Sequence, residues 1–263
     1  VKYELKVVEK RDHGAMGALS LAGIKRKTGQ FLYLLKTGYW VDGERVIPDI
    51  PDENFENHFK VYRFVRQLAV GKDVLDVGCG TGYGTDHLAE VARSAVGVDL
   101  SRSAIRWARK RYPQGRYMEM DVQDLKFPND SFDLLVSSEN FEHLPEQAKH
   151  VGELARVLRP DGICFVASPN PWMFIGIDNP HHVKENSYDE LRALFTPHFG
   201  EVAIVANSLN PPTPEGRDLQ AQRWPSGKIG DPLPSGLDTT WLSNTHSYFC
   251  FLRSPIKSGH GKA

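Results

Sequence analysis

The stretch "VLDVGCGTGYG" (residues 74–84) runs from strand-like apolar residues through Asp76 into four alternate glycines, Gly78, Gly80, Gly82 and Gly84. Glycines are needed where a backbone turns sharply and a ligand lies against it. In a parallel sheet, nucleotide-type ligands bind at the carboxyl ends of the strands, where such a loop leads into a helix. The loop is not the dinucleotide fingerprint GxGxxG, because Tyr83 stands where the third glycine would be. It is not a P-loop either, because no Lys-Ser/Thr pair follows the glycines. An acid ahead of the first glycine repels a pyrophosphate and suits a cationic ligand better.

Outward from this loop, residues 73 to about 168 alternate short apolar runs with amphipathic segments. "DVLDV" precedes a helix through "GTDHLAEVA", and "SAVGVDL" precedes "SRSAIRWARKRY". "GRYMEMD" and "SFDLLVS" follow, then a helix through "EQAKHVGELARVL", then "GICFVAS". That alternation predicts an α/β fold, a mostly parallel sheet with helices on both faces. A further helix is expected from about Asn54, where Phe55, Phe59 and Tyr62 recur at helical spacing. Ser187 is placed to cap a helix through "YDELRALF", with Glu190 in the capping-box position. "EVAIVAN" and "HSYFCFLR" read as two closing strands, and there are no internal repeats.

Two more acids fall in register with the glycine loop. Asp99 ends the second strand, where a carboxylate accepts both hydroxyls of a ribose. Asp121 ends the third, placed to accept from the exocyclic amine of an adenine. With "VLDVGCGTGYG", "VGVDLS", "MDVQDLKFPNDSFDLLVSSENFEHL" and "LRPDGICFVASPN" in this order, residues 54–206 resemble the class I S-adenosylmethionine-dependent methyltransferases. The resemblance implies a Rossmann-like, seven-stranded, mostly parallel sheet with an antiparallel hairpin at one edge. It implies S-adenosyl-L-methionine as cofactor, with Asp76 and the Gly78–Gly82 loop (Cys79, Gly80) on the methionine portion. Asp99 and Leu100 would meet the ribose, Asp121 and Val122 the adenine, and Ser138 the end of the fourth strand. Tyr62, on the preceding helix, would meet the methionine carboxylate; packing alone also explains it.

The acceptor side is less determined. In "SSENFEHLPEQ" (137–147), His143 lies just beyond the fourth strand, where the resemblance places the transferred methyl group. An alcohol acceptor needs its proton taken, and an imidazole with its ordinary pKa near 6.5 suits that task. His143 is therefore a candidate general base, with an orienting or capping group as the equal alternative. Glu139 is a second catalytic candidate, able to orient His143 or to bind hydroxyls. Trp40, His58, Glu142, Asp178, His181 and His182 are candidate acceptor contacts, joined by Arg45, Arg217, Arg223 and Trp224 as walls of the pocket. A metal-free site is expected. The alternative is a divalent ion such as Mg2+ among Glu139, His143, Asp178 and His182, although adjacent histidines normally point apart.

The favoured expectation is O-methylation of a small molecule or glycoside: a sugar, polysaccharide or natural-product hydroxyl. The alternatives are N- or C-methylation of a quinone or amine precursor, and a non-catalytic module that only binds the cofactor. Forty per cent hydrophobic residues, 25% charged residues and a net charge of −1 describe an ordinary globular chain of 263 residues. Residues 1–36 carry eight Lys/Arg against three Asp/Glu, which suits an acidic partner or a solvated surface. There is no extended basic face and no "NPPY"-like tetrapeptide after the fourth strand, where "SSEN" stands, so no nucleic-acid partner is expected. Cys79, Cys164 and Cys250 are far apart and fit a reducing cytoplasm, the expected location. No apolar run approaches the roughly 20 residues needed to cross a bilayer, and no signal-peptide core is recognised. The expected organisation is an N-terminal extension or cap over 1–53 and a methyltransferase domain over 54–253. A lid-like loop insertion (209–240) precedes the last strand, and 254–263 form a tail.

Overall fold

Residue 73 begins the first strand of a sheet whose order is set by which apolar faces must be covered. The structure, a computed structural model, describes residues 46, 53–171, 179, 181–206, 229–231 and 247–257. All of these fall in one unit, Asp42–Ala263. The expected contributions of Trp40, Arg45, Asp178, Arg217, Arg223 and Trp224 lie outside the described residues, as do nearly all of the proposed cap and lid.

Along the chain, α1 (Glu53–Ala69) precedes β1 (Asp73–Val77), α2 (Tyr83–Ala89), β2 (Ser94–Asp99), α3 (Arg102–Arg111) and β3 (Arg116–Glu119). Then come β4 (Phe132–Ser138), a 3-10 turn (Phe141–His143), α4 (Gln147–Val157), β5 (Leu158–Pro169), α5 (Tyr188–Phe195) and β6 (Phe199–Ala206). β7 (Ile229–Gly230) and β8 (Ser247–Pro255) complete the described elements. The sheet order is β3-β2-β1-β4-β5-β8-β6-β7. β1 to β5 pair in parallel, and β8 runs antiparallel to both β5 and β6. This is the expected mostly parallel sheet with its antiparallel edge. The two-residue β7, within the expected insertion, adds an eighth strand to the expected seven. Asp231 fastens it: its carboxylate accepts from the Ile204 amide (3.0 Å) and pairs with Arg192. The last strand also continues past the expected boundary at 253, to Pro255.

Each strand alternates its side chains between faces, so one strand feeds two cores. Leu75 and Val77 join Val98, Leu135 and Val166 on one side, against Val151 and Leu154 of α4 and Leu191 and Phe195 of α5. Val74, Leu134, Val136 and Phe165 join the other side, against Val61, Phe64 and Val65 of α1 and Leu88 of α2. The apolar stripe of α1 recurs at three- and four-residue spacing, which is what a one-sided helix requires. α3 begins at Ser101, whose Oγ accepts from the Ala104 amide, and ends on Arg109, Lys110 and Arg111, complementing the helix dipole. The capping box predicted at Ser187 and Glu190 is present in both directions. No helix among the described residues is long and apolar enough to cross a membrane.

Candidate functional site

The strand order reverses at β1, which has β2 on one side and β4 on the other. Loops leaving these three strands diverge there, and ligands of open α/β sheets sit in the resulting crevice. A cavity of about 630 Å³ opens at this point, within the roughly 300–1,000 Å³ usual for small-ligand pockets. It is lined by Gly78, Cys79 and Gly80 after β1, Asp99 and Leu100 after β2, and Asp121 and Val122 after β3. Ser138, Glu139, Glu142 and His143 follow β4, with His58 and Tyr62 from α1 and His181 and His182 from the later loop. Fifteen of the residues singled out from sequence thus share one cavity.

Two do not line it. Asp76 has the parity of Val74, so it points to the α1 face and is fully buried. Its Oδ1 accepts from the Tyr62 hydroxyl (3.1 Å) and its Oδ2 from Thr85 (2.6 Å). Burial raises its pKa to about 6, and the Thr85 and Tyr62 hydrogen bonds hold the rise back. Gly82 lies at the start of α2 with φ 86, and its carbonyl accepts from the Tyr117 hydroxyl. A Cβ at Gly84 would stand 2.1 Å from the Tyr62 ring, so Gly84 makes room for a protein side chain. Asp121 also lies two residues past the end of β3, in a turn, where its Oδ1 accepts from the Gln123 amide (2.8 Å).

On the expected cofactor side, Asp99 Oδ2 accepts from the Gly80 amide (2.9 Å) and Oδ1 from the Ser101 amide (2.8 Å). These bonds fix the carboxylate at the cavity wall. A Cβ on Gly80 would meet nothing within 4 Å, and φ there is +54. Space thus lies directly over the glycine backbone. Ser138 Oγ, buried at the end of β4, has no hydrogen-bond partner among the described residues. An open glycine floor, a pre-set carboxylate and an orphaned hydroxyl are what an elongated polar ligand would complete. Beneath the Asp121–Val122 turn, buried His150 donates its Nδ1–H to the Val122 carbonyl (2.9 Å). Its desolvation holds the imidazole pKa down at about 4, so it is neutral.

On the opposite side, the 3-10 turn carries His143. Its Nδ1 lies 2.9 Å from the carbonyl of His181. A carbonyl only accepts, so Nδ1 carries the hydrogen and Nε2 the lone pair. Glu142 Oε1 lies 3.7 Å from Nε2, on a side chain that is almost wholly buried. The carboxylate beside His143 is therefore Glu142, not the expected Glu139. Glu139 turns toward β8 and accepts from Ser247 Oγ (2.6 Å), on a backbone with φ 48. The 181–187 segment is clamped to the turn by Val183 and Lys184 amides donating to the Glu142 carbonyl (2.8 and 3.1 Å). Gln147 Nε2 bridges the carbonyls of Phe141 and Lys184, and Asn186 holds the other end of that amide.

The alternative metal set is not what the described residues assemble. Glu139 is directed elsewhere, and Glu142 joins His143 and His182 in its place. Two imidazoles and one carboxylate do not suit Mg2+, which demands an octahedron of oxygens. Sequence reading also passed over Gln123, Asn140, Asn179, Gln147 and Asn186. Only Gln147, a polar residue on the apolar stripe of α4, carried a sequence signal.

Sheet order, switch-point cavity and acid-terminated strands together define the class I S-adenosylmethionine-dependent methyltransferase fold. Residues 75–166 match the model of the "Methyltransferase domain" family. A probable S-adenosylmethionine-dependent methyltransferase of Mycobacterium tuberculosis is 42% identical over 158 residues, covering 58% of each chain. One from Mycolicibacterium smegmatis is 40% identical over 158 residues, 58% of this chain and 62% of the relative. The chain thus spans somewhat under two thirds of the length of these relatives. Among solved structures, the YcgJ protein of Bacillus subtilis superposes with a TM-score of 0.52 at 20% identity, covering 77% of this chain and all of that one. A possible histamine N-methyltransferase of Thermotoga maritima gives 0.55 at 13% identity, over 88% and 98% of the two chains. These likenesses show the fold. The cofactor of the class is S-adenosyl-L-methionine, and the residues around Gly80, Asp99 and Ser138 fit it.

Proposed function

We propose that this chain is an S-adenosylmethionine-dependent O-methyltransferase acting on an alcohol hydroxyl of a small molecule, a sugar or glycoside hydroxyl being the favoured acceptor. The observation that carries the reading is the tautomer of His143: its Nδ1–H is held by the His181 carbonyl and its basic Nε2 stands beside Glu142. When bound, the cofactor supplies an electrophilic methyl group on a sulfonium. Glycine loop, Asp99 and the Asp121–Val122 turn hold it, and Tyr62 sits over Asp76 below. His143 Nε2 takes the acceptor's proton as the oxygen attacks, and the Glu142 carboxylate stabilises the imidazolium that forms. Glu139, fixed by Ser247, is left to bind a neighbouring hydroxyl.

Charge separates the acceptor classes. The described lining holds Asp99, Asp121, Glu139 and Glu142 and, among the described residues, no Lys or Arg. That favours a neutral hydroxyl over a carboxylate. Relatives named for a fatty-acid O-methyltransferase (37% identical over 105 residues) and for a phthiotriol/phenolphthiotriol dimycocerosates methyltransferase (27% over 186 residues) place lipids among the acceptors to be tried. A carboxylate acceptor would need no base, whereas a hydroxyl does. A neutral amine attacks without a base, and simple cofactor binding involves no proton transfer, so neither would need His143 in that role.

The test is a screen of sugar, lipid-alcohol, carboxylate and amine acceptors with labelled S-adenosylmethionine, in wild type and His143→Ala. Turnover on an alcohol should fall by about 10²–10⁴-fold in the variant, with cofactor binding by calorimetry unchanged. Equal turnover by the two proteins removes the base.

A further inference from the structure

We infer that the turn after β4 and residues 181–185 together form a binding site for a divalent transition ion of the zinc class, ligated by His143, His182 and Glu142. One ligand atom from each of the three lies within 4.8 Å of the other two. Glu142 Oε1 is 3.7 Å from His143 Nε2, and the two imidazole rings stand 5.1 Å apart at 77°. A shift of a few tenths of an ångström to about an ångström per side chain would bring such a set around one ion at bonds of about 2.0–2.2 Å.

The second partners of the histidines point the same way. His143 gives its Nδ1–H to the His181 carbonyl, and His182 gives its own to Glu185 Oε1 (2.6 Å). Metal-binding imidazoles almost always donate their remote N–H to a carbonyl or carboxylate, which fixes the tautomer and strengthens the other nitrogen as a ligand. Both rings here have that arrangement. The Asn179 amide donates to His182 Nε2 (3.0 Å) and would be displaced by the ion. The two ligand-bearing segments are already joined by the Val183 and Lys184 amides on the Glu142 carbonyl, so little ordering remains. Two imidazoles and a carboxylate, with one face toward the cavity, make the donor set of an open zinc site.

One consequence rests on the proposed base: coordination occupies the Nε2 lone pair of His143, so the ion inhibits methyl transfer. The experiment is calorimetric titration of chelator-treated protein with zinc chloride, without cofactor. One equivalent should bind with a micromolar or lower dissociation constant. Glu185→Gln, which removes no ligand, should weaken binding about 10–100-fold, and His182→Ala by more. Circular dichroism and cofactor calorimetry check that both variants fold. Absence of binding, or equal affinity in both variants and wild type, overturns the site. Cobalt(II) gives an independent readout, because a four- or five-coordinate site absorbs strongly in the visible and a hydrated surface ion does not. Saturating zinc should abolish turnover on an alcohol acceptor, and chelator should restore it. Undiminished turnover overturns the inhibition, while the metal-free His143→Ala assay judges the base separately.

Discussion

The Asp76→Asn substitution keeps the outline of a fully buried side chain and removes the charge that burial opposes. The Asp76 pKa stands at about 6 in the folded protein against an ordinary 3.8, a rise led by desolvation. Between those pH values the native state holds a proton that the unfolded chain has released. Stability contributed by this group is thus complete below pH 3.8 and is lost as pH rises to about 6. Two pKa units correspond to about 3 kcal/mol. Asparagine removes that cost but brings an N–H toward Tyr62 or Thr85, so one hydroxyl must turn to accept, at about 1 kcal/mol. The variant should therefore be more stable than wild type by about 2 kcal/mol at pH 8 and slightly less stable at pH 3. For a chain of this size that is about 4–8 °C in Tm. His150 sharpens the comparison. Its pKa is pushed down to about 4 by burial, so its contribution runs the other way, rising by about 3 kcal/mol as pH climbs from 4 to 6.5. In wild type these two slopes nearly cancel each other, and Asp76→Asn removes the aspartate's share while the contributions of His150 and the other shifted groups stay in both proteins. Thermal melts of ligand-free protein from pH 3 to 8 read this directly. A wild-type-to-variant difference that is the same at pH 4 and pH 8 would refute the assignment of a high pKa to Asp76.

Two further substitutions probe backbone and packing at the site. Gly84→Ala places a methyl group 2.1 Å from the Tyr62 ring and should cost about 1–3 kcal/mol. The penalty should largely vanish in a Tyr62→Ala background, and a denaturation double-mutant cycle showing simple additivity would contradict the contact. Glu139 has φ 48, so Glu139→Gly should be more stable than Glu139→Ala by about 1 kcal/mol, the reverse of the order in helices. Matching denaturant midpoints for the two variants would argue against strain there.

The cavity wall beside the glycine loop was legible because its signals are local. Strand, glycines and the acids at 99 and 121 each sit within a few residues of the turn they control. Helix periodicity likewise placed α1 and α4 correctly, because one face of each must be apolar. Asp76 was misplaced because its direction depends on strand parity: it shares the face of Val74 and so turns beneath α1. Glu139 and Glu142 were ranked in the wrong order as neighbours of His143 for a longer-range reason. What separates them is Ser247, 108 residues away, which holds Glu139 to β8. The clamp made by Gln147, Asn186 and Lys184 joins segments nearly 40 residues apart, and spacing along the chain does not encode such a meeting.

β8 is the last described strand in sequence, yet it sits between β5 and β6 in the sheet. Its pairing joins Ile163 to Arg253 and Phe199 to Pro255, so among the described residues β6 reaches β5 through a segment synthesised later. On the ribosome the five parallel strands can assemble first, and until residues 247–255 emerge β5 offers an open ladder of N–H and C=O groups beside an uncovered apolar face. Closure between segments this far apart in sequence is slow. Ser247 arrives with the same strand, so Glu139 acquires its partner only when the sheet is shut. That corner of the cavity is therefore completed from a strand more than a hundred residues downstream.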